Sequence, residues 1–423
     1  MIIQNFDSLA TTSQRKIVLN LIESALTSIQ PKEVFNKNVE LNDNVLKILD
    51  STYDLSTFEH IYIIGFGKGS ARNAKLLEDL LGNKLTEGFV IDTEEQDFKQ
   101  IQFTKGTHPV ISKENIDFTE KVITTYSRLT EKDLALVIVC GGGSAMFEYP
   151  HSVTLEQKID IEKSLLKSGA TIIEMNKVRQ HLSDVKGGGL AQILFPATIA
   201  TLIFSDVPGN DISYIASGPT VKDDSTIDDA VSLIQQFNIP GVARESFIEN
   251  PKDDKYFKNV QNHIVLSNLT ALNAMAEKAK LLNITATIFS DRFQSIAKDA
   301  GKKLIEQTKN GEILLAGGET TVRVTGNGIG GRNQEVVLGG LINIQPGTII
   351  ASFASDGWDN CEVAGAIGDS QTAEKTQQQN LSIEEYLKSN NSLDFFTQNG
   401  DAIRTGRLPS NVSDLFIVFK YNE

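Results

Sequence analysis

Ile61-Tyr62-Ile63-Ile64-Gly65-Phe66-Gly67-Lys68-Gly69-Ser70 runs from a short apolar stretch straight into a glycine-rich turn. An apolar run bounded by glycines reads as a buried strand, and residues 71–81 that follow have helical spacing. Gly88-Phe89-Val90-Ile91-Asp92 supplies the next short strand. The same pattern returns at 134–140, which enters Gly141-Gly142-Gly143-Ser144, and at 197–204, which ends at Ser205-Asp206. Strands alternating with helices predict an α/β fold with a parallel sheet covered on both faces. Ligands of such sheets bind beyond the carboxyl ends of the strands, which is where these glycines and Asp206 fall.

A chain of 423 residues is long enough for two domains, each with its own core. A leading helix is expected over 12–30, with Ile17, Leu21 and Ala25 about a turn apart and Pro31 at its end. After a helical stretch near 228–238 the sequence turns polar and irregular through Pro240-Gly241 and Asn250-Pro251. This places a first domain at 1–240, a linker at 241–260 and a second α/β domain at 261–423. Within the second, strands are expected at 264–266, 285–289, 313–316, 320–324, 348–353 and 415–419, with helices from 269 and over about 294–308.

The formal charge of -14 at pH 7 argues against nucleic-acid or anionic-membrane partners, which select clustered Lys and Arg. Two cysteines, Cys140 and Cys361, are too few for a disulfide framework or a thiolate zinc site and point to a reducing compartment. With no signal-like start and no apolar run near the ~20 residues of a membrane span, a soluble cytoplasmic protein is expected.

The glycine loop around Lys68 suits a phosphate: Gly65 and Gly67 let backbone N–H groups approach, and Lys68 adds a charge. It lacks the Walker spacing and, with Ser70 in the third glycine position, misses G-x-G-x-x-G. A plain turn with a solvated lysine is the rival reading. Gly141, Gly142, Gly143 and Ser144 form a second candidate anion cradle, against a simple glycine turn. A nucleophile elbow would need glycine placed differently. In the stretch 176–189, Asn176, Arg179, Lys186 and Gly187 could gather at one rim of a helix to meet an anion, against a solvated face.

Asp206 just past a buried strand suits either a general base or magnesium, against the structural turn role common for Asp. In the second block, Gly317-Gly318-Glu319 is followed by Gly330-Gly331-Arg332-Asn333-Gln334-Glu335. Arg332 opens a helix there and offers a planar donor fork to an anion, with Asn333 beside it. Asp356, in Ser355-Asp356-Gly357-Trp358, is a second candidate magnesium ligand. His108 could donate to a substrate carboxylate, although a satisfied structural histidine is the commoner role. Five histidines without H-E-x-x-H spacing give a catalytic zinc site little support.

Taken in order, Gly-Phe-Gly-Lys at 65–68, Gly-Thr-His-Pro-Val at 106–110, Gly-Gly-Gly-Ser at 141–144, Lys-Gly-Gly-Gly at 186–189, Ser-Asp-Val at 205–207, Ala-Ser-Gly-Pro-Thr at 216–220 and Gly-Gly-Arg-Asn-Gln-Glu at 330–335 resemble a type II glycerate 2-kinase along nearly the whole chain. The resemblance implies a Rossmann-like N-terminal domain, a C-terminal MOFRL domain and an active site in the cleft between them. It also implies ATP-dependent phosphorylation of D-glycerate to 2-phosphoglycerate with Mg2+, with Lys68 and Arg332 as catalytic or phosphate-stabilising groups. The expected partners are the small hydroxy acid and ATP, with a homodimer as an option. Asn210 stands where this family often has an acidic residue, and Pro409-Ser410 where Gly-Thr is usual. These departures bear on the substrate more than on the reaction type.

Two other readings compete. A nicotinamide-dependent hydroxypyruvate reductase would use the first βαβ unit, with Asp92 on a ribose hydroxyl. A non-catalytic sugar-acid or nucleotide sensor would use the same loops without turnover.

Overall fold

The computed structural model describes residues 1–422. Two compact units divide the chain: Phe35–Val265 form one, and Met1–Val34 join the segment from Leu266 onward to form the other. Two domains were expected, but the partition differs. The first 34 residues leave the N-terminal domain, and the unit boundary falls at 265/266 rather than in a 241–260 linker.

The reason lies in the helix Ser13–Ser28. Thr12 caps it by accepting from the Arg15 N–H at 3.1 Å. Its buried face carries Val18, Leu19, Leu21, Ile22, Ala25 and Leu26. On the same face Arg15, 1% exposed, pairs with Asp369 and Asp401, each at 2.6 Å. A buried guanidinium is tolerated only with such partners, and both belong to the second unit.

In the unit Phe35–Val265 six strands lie in the spatial order Ile101–Lys105, Glu87–Asp92, His60–Phe66, Asp133–Val139, Thr198–Phe204, Val260–Leu266. Numbered along the chain this is 3-2-1-4-5-6, and the first five pair in parallel. Every residue of Asp133–Val139 is buried, which explains its unbroken apolar run. Order reverses between His60–Phe66 and Asp133–Val139, so the ligand-binding crevice of this doubly wound sheet lies at their carboxyl ends. A small antiparallel sheet, Val39–Asn42, Val45–Ile48 and Ser51–Asp54, precedes it and was not foreseen.

The other unit holds a mixed sheet in the order Thr285–Phe293, Glu312–Gly318, Asp414–Lys420, Thr348–Ala354, Gly365–Asp369, Ala402–Ile403. Only the first pair is parallel. The expected strand at 320–324 is absent: Thr320 is buried and Val322 packs on the core, but Thr321 makes only a single bridge to Ile296 and Val324 is 75% exposed, so no ladder forms. The strands Gly365–Asp369 and Ala402–Ile403 were not anticipated. No helix among the described residues is long and apolar enough to cross a membrane.

Candidate functional site

The glycine loops that follow the two strands at the switch point are bonded to each other. Cys140 N–H donates to the Phe66 carbonyl at 3.0 Å, and Lys68 N–H donates to the Gly141 carbonyl at 2.8 Å. Gly67 permits this approach: its φ is +102°, and a Cβ there would stand 2.4 Å from the Cys140 carbonyl oxygen. Added Cβ atoms on the next glycines locate three more loops. At Gly141 one would meet Asp206 Oδ2 at 2.1 Å, at Gly142 His108 Cδ2 at 2.8 Å, and at Gly143 the Ala216 Cβ at 2.9 Å. Asp206, His108 and the 216–220 loop therefore converge on this glycine run, beside the base of Lys68.

Lys68 itself is exposed, and its ammonium makes no salt bridge or hydrogen bond among the described residues. His108 likewise makes no ring hydrogen bond to the protein, so it is not the satisfied structural histidine of the commoner reading. Burial, and then the charge of Lys68, hold its imidazole below the ordinary value, which favours a neutral donor over a cation near pH 7. Gly65 is buried, and a Cβ there would touch Val90 at 3.0 Å, so this glycine serves strand packing. Ser144 does not cap the short helix Gly143–Met146; its hydroxyl faces Ser217 Oγ at 3.3 Å, which in turn donates to Asn176 Oδ1 at 2.8 Å.

Asp92 is not presented to a ribose. It is 1% exposed and accepts from Gly69 N–H at 2.9 Å, Ala71 N–H at 3.0 Å and Thr93 N–H at 2.6 Å. Burial pushes its carboxyl up while these amides pull it down. An internal carboxylate thus occupies the amino end of the helix Ser70–Leu81, the place a dinucleotide pyrophosphate would take.

Lys186 and Gly187 are corrections. The helix ends at His181, so Lys186 does not share a face with Asn176 and Arg179. Lys186 is 1% exposed, donating to Glu148 at 2.7 Å and to the Phe147 carbonyl at 3.1 Å, with Lys158 on the same carboxylate at 3.4 Å. Its charge is spent inside the core and cannot meet a phosphate there. Gly187 packs on Asn250, which a Cβ would strike at 2.4 Å. Arg179 is paired with Glu162 at 2.8 Å.

In the second unit Arg332 does open a helix, Arg332–Leu341. Its Nε lies 2.6 Å from Asp414 Oδ2, Nη2 reaches Asp414 Oδ1 at 3.3 Å, and Nη1 donates to Glu319. Burial lowers the guanidinium's pKa, yet the two carboxylates outweigh it and leave it above its ordinary value. Burial pushes the Asp414 carboxyl up to about 7 against the pull of Arg332. Asn333 is fully buried, which corrects its reading as a nucleotide contact. Its amide donates to Asp359 at 3.1 Å and Asp414 at 2.9 Å, and its oxygen accepts from Ser352 at 2.5 Å. Asp359 also takes the Asn333 and Gln334 backbone N–H groups, so this helix start too is capped from within. Sequence reasoning missed Asp414, and gave Glu319 and Asp359, one of the carboxylates of 355–360, no role of their own. Nothing local pointed to either Asp359 or Asp414: Asp359 takes the Asn333 N–H from 26 residues away, and Asp414 reaches Arg332 from 82 residues away.

Among the described residues no group of three or more His, Cys, Asp or Glu is placed to hold a metal ion. Magnesium carried on a nucleotide needs only one or two carboxylates, the rest being phosphate and water. Asp206 and Asp356 are both half-exposed beyond strand ends and fit that demand. One Asp356 oxygen accepts from Trp358 N–H at 3.0 Å, closing its own turn.

Residues 17–249 match the family described as a domain of unknown function, DUF4147, and residues 312–414 match the MOFRL family. A glycerate 2-kinase of Picrophilus torridus is 32% identical over 435 residues, covering 100% of both chains. The chain belongs to the MOFRL-type glycerate 2-kinase family. A D-glycerate 2-kinase of Thermotoga maritima is 32% identical, covering 96% of this chain and 98% of the relative. A crystal structure of glycerate kinase from Thermotoga maritima superposes with a TM-score of 0.86 at 30% identity, covering 96% of this chain and 99% of that one. The two-domain α/β architecture is thus that of the glycerate kinases.

Proposed function

We propose that this protein transfers the γ-phosphoryl group of ATP to the 2-hydroxyl of D-glycerate. The observation that carries the reading is the convergence of a bare Lys68, His108 and Asp206 over one glycine run at the switch point, in a chain of this family. The acceptor oxygen forms a bond to Pγ, the bond from Pγ to the β-phosphate oxygen breaks, and ADP leaves with the electron pair. Asp206 orients the hydroxyl and takes its proton. Lys68 and Arg332 each supply positive charge to the anionic substrates, since phosphoryl transfer asks the protein mainly for position and electrostatics. His108, neutral beside Lys68, donates to the glycerate carboxylate. Asp356 would hold Mg2+, which when bound offsets charge on the β- and γ-phosphates. We place the protein in the cytoplasm, in keeping with its two unpaired cysteines.

Support against the reductase comes from Asp92, whose oxygens are taken by helix amides rather than offered to a ribose. Purified protein given ATP, Mg2+ and D-glycerate should yield ADP and 2-phosphoglycerate, identified by mass and phosphorus NMR. Nicotinamide turnover without ATP use would replace this reading with the reductase; binding without product would replace it with a sensor. 3-Phosphoglycerate alone would leave a kinase with a different acceptor position.

A further inference from the structure

Arg332 is held by two carboxylates of unlike standing. Asp414 is 1% exposed and locked at the head of a central strand, paired in register with Gly318 on one side and Ala354 on the other. Asn333 Nδ2 braces the same carboxylate at 2.9 Å. Glu319 is 49% exposed in its side chain, and its carboxylate has Arg332 as its one partner among the described residues. Releasing Asp414 would leave a buried carboxylate without its cation, whereas releasing Glu319 returns a solvated carboxylate to water. The Arg332 side chain is one-third exposed and that of Glu319 about half. Its fork accepts two anionic groups at once, and one of the two present is exchangeable.

We propose that Asp414 is the positioning residue of Arg332, while Glu319 is a built-in stand-in for the substrate anion that leaves the guanidinium when a phosphate or carboxylate arrives. The inference rests on the reading of Arg332 as an anion-binding group. Before binding, the stand-in keeps the fork extended and its charge matched. An incoming anion takes over Nη1 without any change at Asp414, so the cationic group is aimed before the ligand comes.

The test is calorimetric titration of the full-length chain with inorganic tripolyphosphate and, separately, with D-glycerate. Glu319→Gln should bind one of the two about two- to fivefold more tightly than the parent, the range of a surface ion pair. That gain should shrink at high salt and vanish in the Glu319→Gln/Arg332→Ala double variant. Unchanged or weaker binding of both probes by Glu319→Gln, with Arg332→Ala inactive, overturns the stand-in and leaves the Arg332 reading intact. A fully active Arg332→Ala overturns both. Asp414→Asn should lower kcat far more than it raises KM, with partial rescue by Asp414→Glu; a loss confined to KM, or none at all, overturns its positioning role. Should Asp414→Asn not fold, the Glu319→Gln titration still decides.

Discussion

Lys68 and Lys186 look alike in sequence within the same unit: each leads directly into glycine, and each reads as a phosphate ligand. The structure separates them completely. Lys68 stands in solvent above two glycine loops, with its charge uncommitted. Lys186 is sealed against Glu148 and Lys158, two positively charged groups on one buried carboxylate. The difference teaches that glycine beside lysine marks a backbone that comes close to something; whether that something is a ligand or the protein's own interior is set by residues elsewhere.

The comparison breaks most visibly through stability. Lys186→Met should lower unfolding free energy by about 3–5 kcal/mol, the usual result of stripping one partner from a buried ion pair, measured by urea denaturation. A loss within the surface range of ±0.5 kcal/mol would mean Lys186 is not a core residue. Lys68→Ala should do the reverse: turnover falls by on the order of 10²-fold with the denaturation midpoint unmoved. Equal activity in a folded Lys68→Ala protein would remove the contrast. Next in size, Asp92→Ala leaves the buried Ala71 N–H and the part-buried Gly69 and Thr93 N–H groups without their acceptor and should destabilise by about 1–3 kcal/mol. If instead it left stability alone and altered ligand binding, Asp92 would belong to the site after all.

The smallest effect concerns His108. Its folded pKa lies below the ordinary 6.5 because burial and Lys68 disfavour the cation. The unfolded chain therefore binds more protons in this window, so the contribution of His108 to stability is present above about 6.5 and lost as pH falls through the depressed value. His108→Gln should flatten the slope of stability against pH just below that point, and an unchanged slope would show that the His108 pKa is not depressed in the folded protein.

Much of the first unit was legible because its parallel strands are buried on both faces, so apolar runs such as 134–140 stop where glycine begins. The crevice followed from those stops. What lay hidden depended on distant partners. Lys186 is buried by Glu148 and Lys158, neither marked by any motif. The amphipathic pattern at 12–30 announces a helix with one buried face, but not which core receives it; Arg15 reads as a solvated arginine until Asp369 and Asp401 arrive from more than 350 residues away. Asp414 meets Arg332 only through strand order, with an exchange of neighbours that no local spacing encodes. The mixed sheet was the harder of the two, since antiparallel edges such as Ala402–Ile403 are too short to announce themselves.

One feature of that sheet governs how the protein is made. Asp414–Lys420, the last of the described strands in chain order, sits in the middle, hydrogen-bonded to Glu312–Gly318 on one side and Thr348–Ala354 on the other. The parallel sheet of Phe35–Val265 has all its strands while the ribosome is still far from this point. In its partner unit Glu312–Gly318 and Thr348–Ala354 cannot be joined as they are in the folded sheet until Asp414–Lys420 has been made. The same strand delivers Asp414, so Arg332 acquires its fixed direction only once Asp414–Lys420 is in place.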